Sequence, residues 1–299
     1  MVNVQGLLQK LKEKSRKEGI SYQFMLQLIC QEEFLRRLAN SRYRENLILK
    51  GGLFIFAYSE FNSRPTMDID FLMKNLSNNQ TDMLKVINDI ISIETDYRFI
   101  ELQVKSIMNI TEQKDYHGIR IKMVGVIANT KTPFDIDIGI GDVIIPHAES
   151  REIRVQIGGF VAPNILTYSL ESTVSEKWDA IISRMETTSR MKDYYDIYYL
   201  AGHYDFDGKI LKDALLNTLS NRQTFFNETT MVKVSEMYND VDMETRWKSF
   251  SKNSLEIDLE FKTVVDMVVQ FIGKPMDAII NETNFSEDWC SKDRTYKWR

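Results

Sequence analysis

The spacing of hydrophobic residues divides the chain into a helical start, a mixed middle and a helical second half. Apolar positions at helical spacing predict helices over 4–18 and 21–40, the second opened by a Ser21 cap. In the middle, the stretch NLILKGG predicts a short strand ending in a glycine turn, LFIFAYSEF a helix, and MDIDFLM a strand. An amphipathic helix over 81–94 with a Thr81 cap follows, and then four strands, over 98–110, 118–128, 133–140 and within RVQIGGFVAP.

From about residue 168 onward, helical patterns replace strand patterns. The predicted helices cover 169–185, 191–204, 207–222 and 259–274. We therefore predict an α+β fold with a mixed-sheet core, an N-terminal helical segment and a helical C-terminal domain. The expected divisions are 1–45 for N-terminal helices packed on the core, 46–165 for the core, and 166–299 for the helical domain.

Composition places the chain among globular proteins. It is 43% hydrophobic and 27% charged, and it contains no apolar run of the roughly 18–20 residues that a membrane span requires. The N-terminus lacks the apolar core of a signal peptide. Cys30 and Cys290 are far apart and have no metal-ligand spacing. We expect a cytoplasmic protein that is not associated with a membrane.

The charge distribution is uneven. A net charge of −5 argues against a nonspecific nucleic-acid binder. Residues 1–50 nevertheless hold ten Lys and Arg against five Glu, so the negative charge lies in the rest of the chain. This basic segment is either a surface for RNA or a nucleotide, or simply the solvated face of helices.

Two strands carry paired carboxylates. Asp68 and Asp70 lie two residues apart in RPTMDIDFLM, and Asp135 and Asp137 do so in KTPFDIDIGIGD, so each pair shares one face of its strand. Like charges this close repel unless a cation lies between them. A Mg²⁺ ion, with Mn²⁺ as the alternative, accepts such hard oxygen ligands. The competing interpretation is that the DxD is structural or lies on a solvated edge.

A possible phosphate site precedes the first acidic strand. Gly51 and Gly52 lie at a strand-to-helix turn, where bare amides and a helix N-terminus favour anions. Arg64 and Thr66, just before the DxD, are candidate nucleotide contacts or ordinary turn residues.

Two cations in the second half are further candidates. Lys177 and Arg184 are seven residues apart, which places them on one face of the predicted helix, where they could reach a triphosphate or be ordinary surface charges. On the next helix, Lys192 and Asp196 are spaced to form a pair.

The motifs KGGLFIF, RPTMDIDF, DIGIGD and SEKWDAIISRMETTSRMKDYYDIYYL, in this order, resemble the AbiEii/AbiGii family of nucleotidyltransferase toxins, within the DNA polymerase β-like superfamily. The resemblance covers roughly residues 45–205 and makes 46–165 the nucleotidyltransferase core. It favours Asp137 over Asp135 as the third carboxylate, which the shared face alone leaves open. It also implies functional roles for Lys177 and Asp193. In place of the GS of many nucleotidyltransferases, this chain has GG.

The resemblance implies a Mg²⁺-dependent enzyme that moves an NMP from an NTP to an acceptor hydroxyl. Asp68, Asp70 and Asp137 would bind metal, while Gly51, Gly52, Lys177 and Arg184 would offset the triphosphate charge. It further implies a toxin of a toxin–antitoxin or phage-defence system, an antitoxin encoded alongside, and RNA, such as a tRNA 3′ end, as one acceptor. A protein nucleotidylyltransferase and a non-catalytic nucleotide-binding module remain as alternatives.

Overall fold

The structure is a computed structural model that describes residues 4–111, 117–185, 190–255 and 257–298. It contains two compact units. The sheet unit consists of Met1–Gly141 and Glu149–Thr167, and the helical unit of Asp142–Ala148 and Tyr168–Arg299. Residues 186–189 of the helical motif lie outside the described residues.

The sheet unit is built on one seven-stranded mixed sheet. Its strands, in the spatial order β3-β4-β5-β2-β1-β7-β6, are parallel where β2 meets β5 and where β1 meets β7, and antiparallel elsewhere. The bounds are β1 Leu47–Lys50, β2 Asp68–Met73, β3 Ile100–Thr111, β4 His117–Ile127, β5 Thr130–Ile140, β6 Glu149–Glu152 and β7 Asn164–Thr167. The predicted mixed sheet is confirmed.

Four helices complete this unit: α1 Val4–Glu18, α2 Tyr22–Ala39, α3 Gly51–Tyr58 and α4 Gln80–Ile91. The Ser21 hydroxyl accepts a hydrogen bond from the Phe24 amide, which confirms the predicted cap of α2. Helix α2 is buried along most of its length and packs on the sheet, where the Phe34 ring lies 6.0 Å from the Phe71 ring. Since Phe71 alternates with Asp70 along β2, α2 covers the sheet face opposite the acidic residues.

The helical unit contains six α-helices within the described ranges: α5 Leu170–Ile182, α6 Met191–His203, α7 Gly208–Asn221, α8 Thr229–Glu236, α9 Val241–Phe250 and α10 Phe261–Ile280. A 3₁₀-helix, Met237–Asn239, and a π-helix, Ser251–Leu255, adjoin α8 and α9. A hairpin of β8 Glu287–Cys290 and β9 Thr295–Trp298 follows them. Buried Trp289 joins this hairpin to the helices, because its indole donates to the Ala201 carbonyl oxygen at 2.7 Å and its ring packs on Phe271. No helix in the described ranges is both long and apolar enough to cross a membrane.

Three local predictions were wrong. The stretch RVQIGGFVAP is a loop between β6 and β7, because Gly159 adopts φ +94° and the buried Ile157 and Phe160 do not follow strand alternation. Helix α4 is capped by Asn79, whose side chain accepts from the Thr81 amide at 2.7 Å. Helix α3 begins at Gly51, two residues earlier than the predicted apolar run.

The sequence patterns also missed some elements of the helical unit. Helices α8 and α9 are short and have few buried residues, so their periodicity is weak. The hairpin strands β8 and β9 span four residues each, too few for alternation to be read.

Candidate functional site

The acidic residues of β2 and β5 are aligned by the strand register. The two strands pair in parallel, with Asp68 beside Asp135 and Asp70 beside Asp137. All four carboxylates therefore share one face of the sheet, as the alternation predicted. On the other side of Asp70, the antiparallel register places Lys50 of β1. The four carboxylates thus form two adjacent cross-strand pairs on the sheet.

Arg120 of β4 supplies positive charge beside Asp137, on the side of β5 that faces away from β2. Its Nε and Nη2 atoms donate to the two Asp137 oxygens at 2.7 and 2.6 Å, and its Nε lies 3.9 Å from Asp135. This bidentate pair raises the pKa of Arg120 above its usual range, and Asp135 and Asp68 add to the effect. Across the sheet, the row Lys50, Asp70, Asp137, Arg120 places two neighbouring carboxylates between two cations.

Gly51 forms a cradle against the Asp70 carboxylate. It adopts φ +67°, and a methyl group on it would lie 2.1 Å from Asp70 Oδ2 and 2.6 Å from Asp70 Cγ. A residue with a side chain would therefore be strained in backbone and would displace the carboxylate. Glycine is required here by both the conformation and the close approach.

Gly52 brings the two residues before the DxD to the start of α3. A methyl group on Gly52 would lie 2.8 Å from Thr66 Oγ1 and 3.5 Å from Arg64 Nη2. The helix begins after Lys50, whose side chain makes no capping hydrogen bond among the described residues. A hydroxyl, a guanidinium and helix-terminal amides therefore lie together, and these are groups that bind phosphate oxygens.

The fit of a divalent metal depends on the two β2 carboxylates. Within the ranges that the structure describes, no three His, Cys, Asp or Glu side chains form a group that could hold a metal by themselves. Both oxygens of Asp137 accept from Arg120. Mg²⁺ is commonly bound by one or two carboxylates together with substrate phosphates. Asp68 and Asp70, beside the Gly51 cradle, fit a metal that is shared with a nucleotide.

In the helical unit, Lys177 of α5 lies between two carboxylates of α6. Its Nζ donates to Asp193 Oδ1 at 3.1 Å and lies 2.5 Å from Asp196 Oδ2. All three side chains are buried. One cation thus faces two carboxylates away from solvent, where an unpaired charge is costly. Asp193 Oδ2 is buried and accepts no hydrogen bond from the described residues. The spacing had suggested Lys192 as the partner of Asp196, but Asp196 contacts Lys177.

The shared helix face predicted for Lys177 and Arg184 is wrong. Helix α5 ends at Ile182 with Ser183 as its C-cap, and Met185 has φ +43°. Arg184 therefore lies in the turn after the helix, where the helical spacing no longer applies.

Sequence reasoning missed Arg120, which contacts a candidate residue, and did not identify Lys177 as the partner of Asp196. Arg120 alternates with Ile119 and Ile121 in IRIKMV, and a strand next to an acidic one needs cations on the same face. Asp196 lies one helical turn after Asp193, so the two carboxylates face one partner. Both signals were present in the sequence, but they require knowing which elements are neighbours.

Comparisons with known proteins show the family to which the chain belongs. The family model described as "Nucleotidyl transferase AbiEii toxin, Type IV TA system" matches residues 33–267, which is most of the chain. The solved structure of MenT4, a nucleotidyltransferase toxin from Mycobacterium tuberculosis H37Rv, is similar in fold, with a TM-score of 0.53 at 12% identity over 92% of this chain and 99% of that one.

A second solved structure, JHP933 from Helicobacter pylori, matches with a TM-score of 0.47 at 16% identity over 88% of this chain and 98% of that one. A search of curated proteins found no significant match. The order of motifs, the aligned acidic strands and the family match lead to one conclusion. The chain belongs to the AbiEii family of nucleotidyl transferase toxins of type IV toxin–antitoxin systems, and it is a nucleotidyltransferase.

Proposed function

We propose that the acidic face of the sheet unit binds a divalent metal ion together with an NTP, and that the chain transfers the NMP to an acceptor hydroxyl with release of pyrophosphate. The observation that carries the proposal is the position of Asp68 and Asp70 on one face, with Asp70 seated against Gly51 at the start of α3. Mg²⁺, or Mn²⁺ in its place, would neutralise triphosphate charge and stabilise the in-line displacement.

The residues around the metal site have separate tasks in this proposal. Asp68 and Asp70 hold the ion, and the amides of Gly51 and Gly52 bind phosphate oxygens at the helix N-terminus. Thr66 and Arg64, which lie against Gly52, add a hydroxyl and a positive charge. Fixing the triphosphate in this way aligns the α-phosphate for attack, which is how positioning contributes to rate.

Asp137 is proposed as the third carboxylate, either a metal ligand or the acceptor of the proton from the attacking hydroxyl. Both of its oxygens accept hydrogen bonds from Arg120. It can take on either role only by giving up part of this ion pair. Arg120 therefore controls when Asp137 is available.

For the helical unit, we propose that Lys177, Asp193 and Arg184 contact the substrate. The support is the buried Lys177 cluster, in which Asp193 Oδ2 accepts no hydrogen bond from the described residues. A ligand donor that reached this buried oxygen, such as a hydroxyl group, would offset the cost of leaving it unsatisfied.

RNA, including a tRNA 3′ end, is the acceptor that we propose, and the place of action is therefore the cytoplasm. The support is the basic first fifty residues, in which Lys10, Lys12, Arg16 and Lys17 of α1 are exposed. An antitoxin that restrains the enzyme is proposed from the family description. Protein nucleotidylylation is the second candidate, because the same metal site serves a Ser, Thr or Tyr hydroxyl equally well.

A transfer assay tests the proposal. The purified chain is incubated with Mg²⁺, each common NTP labelled at the α-phosphate, and either total bacterial RNA or a bacterial protein extract. Label in RNA that is absent with the isosteric variant Asp70→Asn supports the RNA proposal and identifies the nucleotide. Label in protein instead shows protein modification. Label in neither leaves a non-catalytic nucleotide-binding module.

A further inference from the structure

Two buried carboxamides of α2 hold the backbone immediately before the DxD. Gln27 and Gln31 are one helical turn apart, and their side chains are 3% and 1% exposed. The Nε2 atoms of both donate to the Met67 carbonyl oxygen, Gln31 at a distance of 2.8 Å. A carbonyl oxygen has two lone pairs, so the two donors saturate it.

The position of this carbonyl gives the contact a consequence for the metal site. One peptide bond joins the Met67 carbonyl to Asp68, the first residue of β2. The peptide group is planar, so fixing the carbonyl direction also fixes the amide of Asp68 and restricts how its side chain leaves the strand. Residues 64–66 just upstream have no helical or strand structure, so they do not by themselves impose this direction.

Packing alone does not require carboxamides at these two positions. Leu28 and Phe34 on the same helix are buried and apolar, whereas the buried Glu32 and Glu33 are held by ion pairs with arginines of α2. Gln31 Oε1 is buried and accepts no hydrogen bond among the described residues, which is unfavourable for a group placed only to fill space. The gain must come from the Nε2 donor. Both glutamines also lie outside the segment matched by the family model, 33–267.

We propose that Gln27 and Gln31 are positioning residues that set the direction of Asp68, and through it the spacing of the Asp68–Asp70 pair, for metal binding. The inference rests on the proposed function, because this geometry matters only if the two carboxylates bind a metal. Removal of groups that orient metal ligands typically weakens metal affinity about 10- to 100-fold.

The test is Mn²⁺ affinity, measured from the electron paramagnetic resonance signal of free Mn²⁺ at a temperature well below unfolding. Methionine has the length of glutamine but no hydrogen-bond donor, so the variant is Gln27→Met/Gln31→Met. The matched control is Gln23→Met, the same change one turn earlier on the same helix at an exposed position. Asp70→Asn reports whether the bound Mn²⁺ uses the DxD.

The expected result is a Kd for Mn²⁺ at least about tenfold higher in the double variant, with Gln23→Met unchanged and binding lost in Asp70→Asn. A double variant that is less stable but binds Mn²⁺ like the natural chain would show a merely structural role and overturn the inference alone. Natural protein that binds no Mn²⁺ either alone or with a non-hydrolysable NTP analogue, or Asp70→Asn that binds it equally well, would overturn the metal assignment and this inference with it.

The double variant may be replaced by a milder one if it does not fold. The single variant Gln31→Met keeps the Gln27 donor and is expected to raise the Kd about threefold, which is half the free energy of the tenfold effect expected when both donors are lost. An unchanged Kd in this folded single variant would equally overturn the inference.

Discussion

Gly51→Ala is expected to inactivate the enzyme by displacing Asp70. The new methyl group would lie 2.1, 2.6 and 2.8 Å from the Oδ2, Cγ and Cβ atoms of Asp70, far inside contact distance, so the carboxylate must move by about 1 Å or more. A displacement of this size at a reacting centre costs on the order of 100-fold in rate, which corresponds to about 2.7 kcal/mol. The positive φ adds a loss of about 1–2 kcal/mol in the free energy of unfolding.

The chain offers a matched control in Gly19, which separates the two effects. Gly19 adopts φ +70°, nearly the value of Gly51, but an added methyl group would have no atom within 4 Å. Gly19→Ala should therefore lose the same 1–2 kcal/mol of stability and keep its activity. Urea unfolding and the kcat/KM of nucleotidyl transfer measure both quantities. Equal kcat/KM for the two variants would refute the placement of Asp70 in the site.

Substitutions at three further positions test the buried charges. Lys177→Met leaves two buried carboxylates without their cation and should lower the free energy of unfolding by about 3–5 kcal/mol; unchanged stability in urea would contradict the buried cluster. Arg222→Met removes the partner of three carboxylates in the helical unit and should lower the free energy of unfolding by a similar amount. Arg222→Lys keeps the charge but not the planar guanidinium and should lower it less. Equal losses in urea would contradict a role for the guanidinium geometry. Burial raises the pKa of Glu32 from 4.5 to about 7, although Arg36 lowers it. The folded chain then binds this proton more tightly than the unfolded chain, so stability should fall by roughly 3 kcal/mol as the pH rises from about 4.5 to 7. In Glu32→Gln, the free energy of unfolding, measured in urea at several pH values, should depend less steeply on pH. An unchanged dependence would contradict the raised pKa of Glu32.

The acidic face was predictable because alternation along one strand is a local property. Asp68 with Asp70, and Asp135 with Asp137, had to share a face once each segment was recognised as a strand. The alignment of Asp70 with Asp137 could not be read in the same way, because it depends on the parallel pairing of strands far apart in the chain. Arg120 was missed for this reason, since its role depends on β4 being next to β5.

The candidate residues of the helical unit show what local periodicity does not predict. The seven-residue spacing would place Lys177 and Arg184 on one helix face only if the helix continued to residue 184. The helix ends at Ile182, and Met185 adopts a left-handed backbone conformation in the turn that follows. The loop 154–163 has the composition of a strand, but Gly159 at φ +94° interrupts it. Helix ends and glycine conformations are set by tertiary packing, which periodicity does not report.

The most direct test of the central claim follows the two ends of the NTP separately. The acceptor and nucleotide found in the transfer assay are incubated with the chain and Mg²⁺, using NTP labelled at either the α- or the γ-phosphate. We expect α-label in the acceptor, γ-label only in pyrophosphate, and neither product with Asp70→Asn. γ-Label in the acceptor, or undiminished transfer by Asp70→Asn, would contradict nucleotidyl transfer at the Asp68–Asp70 site.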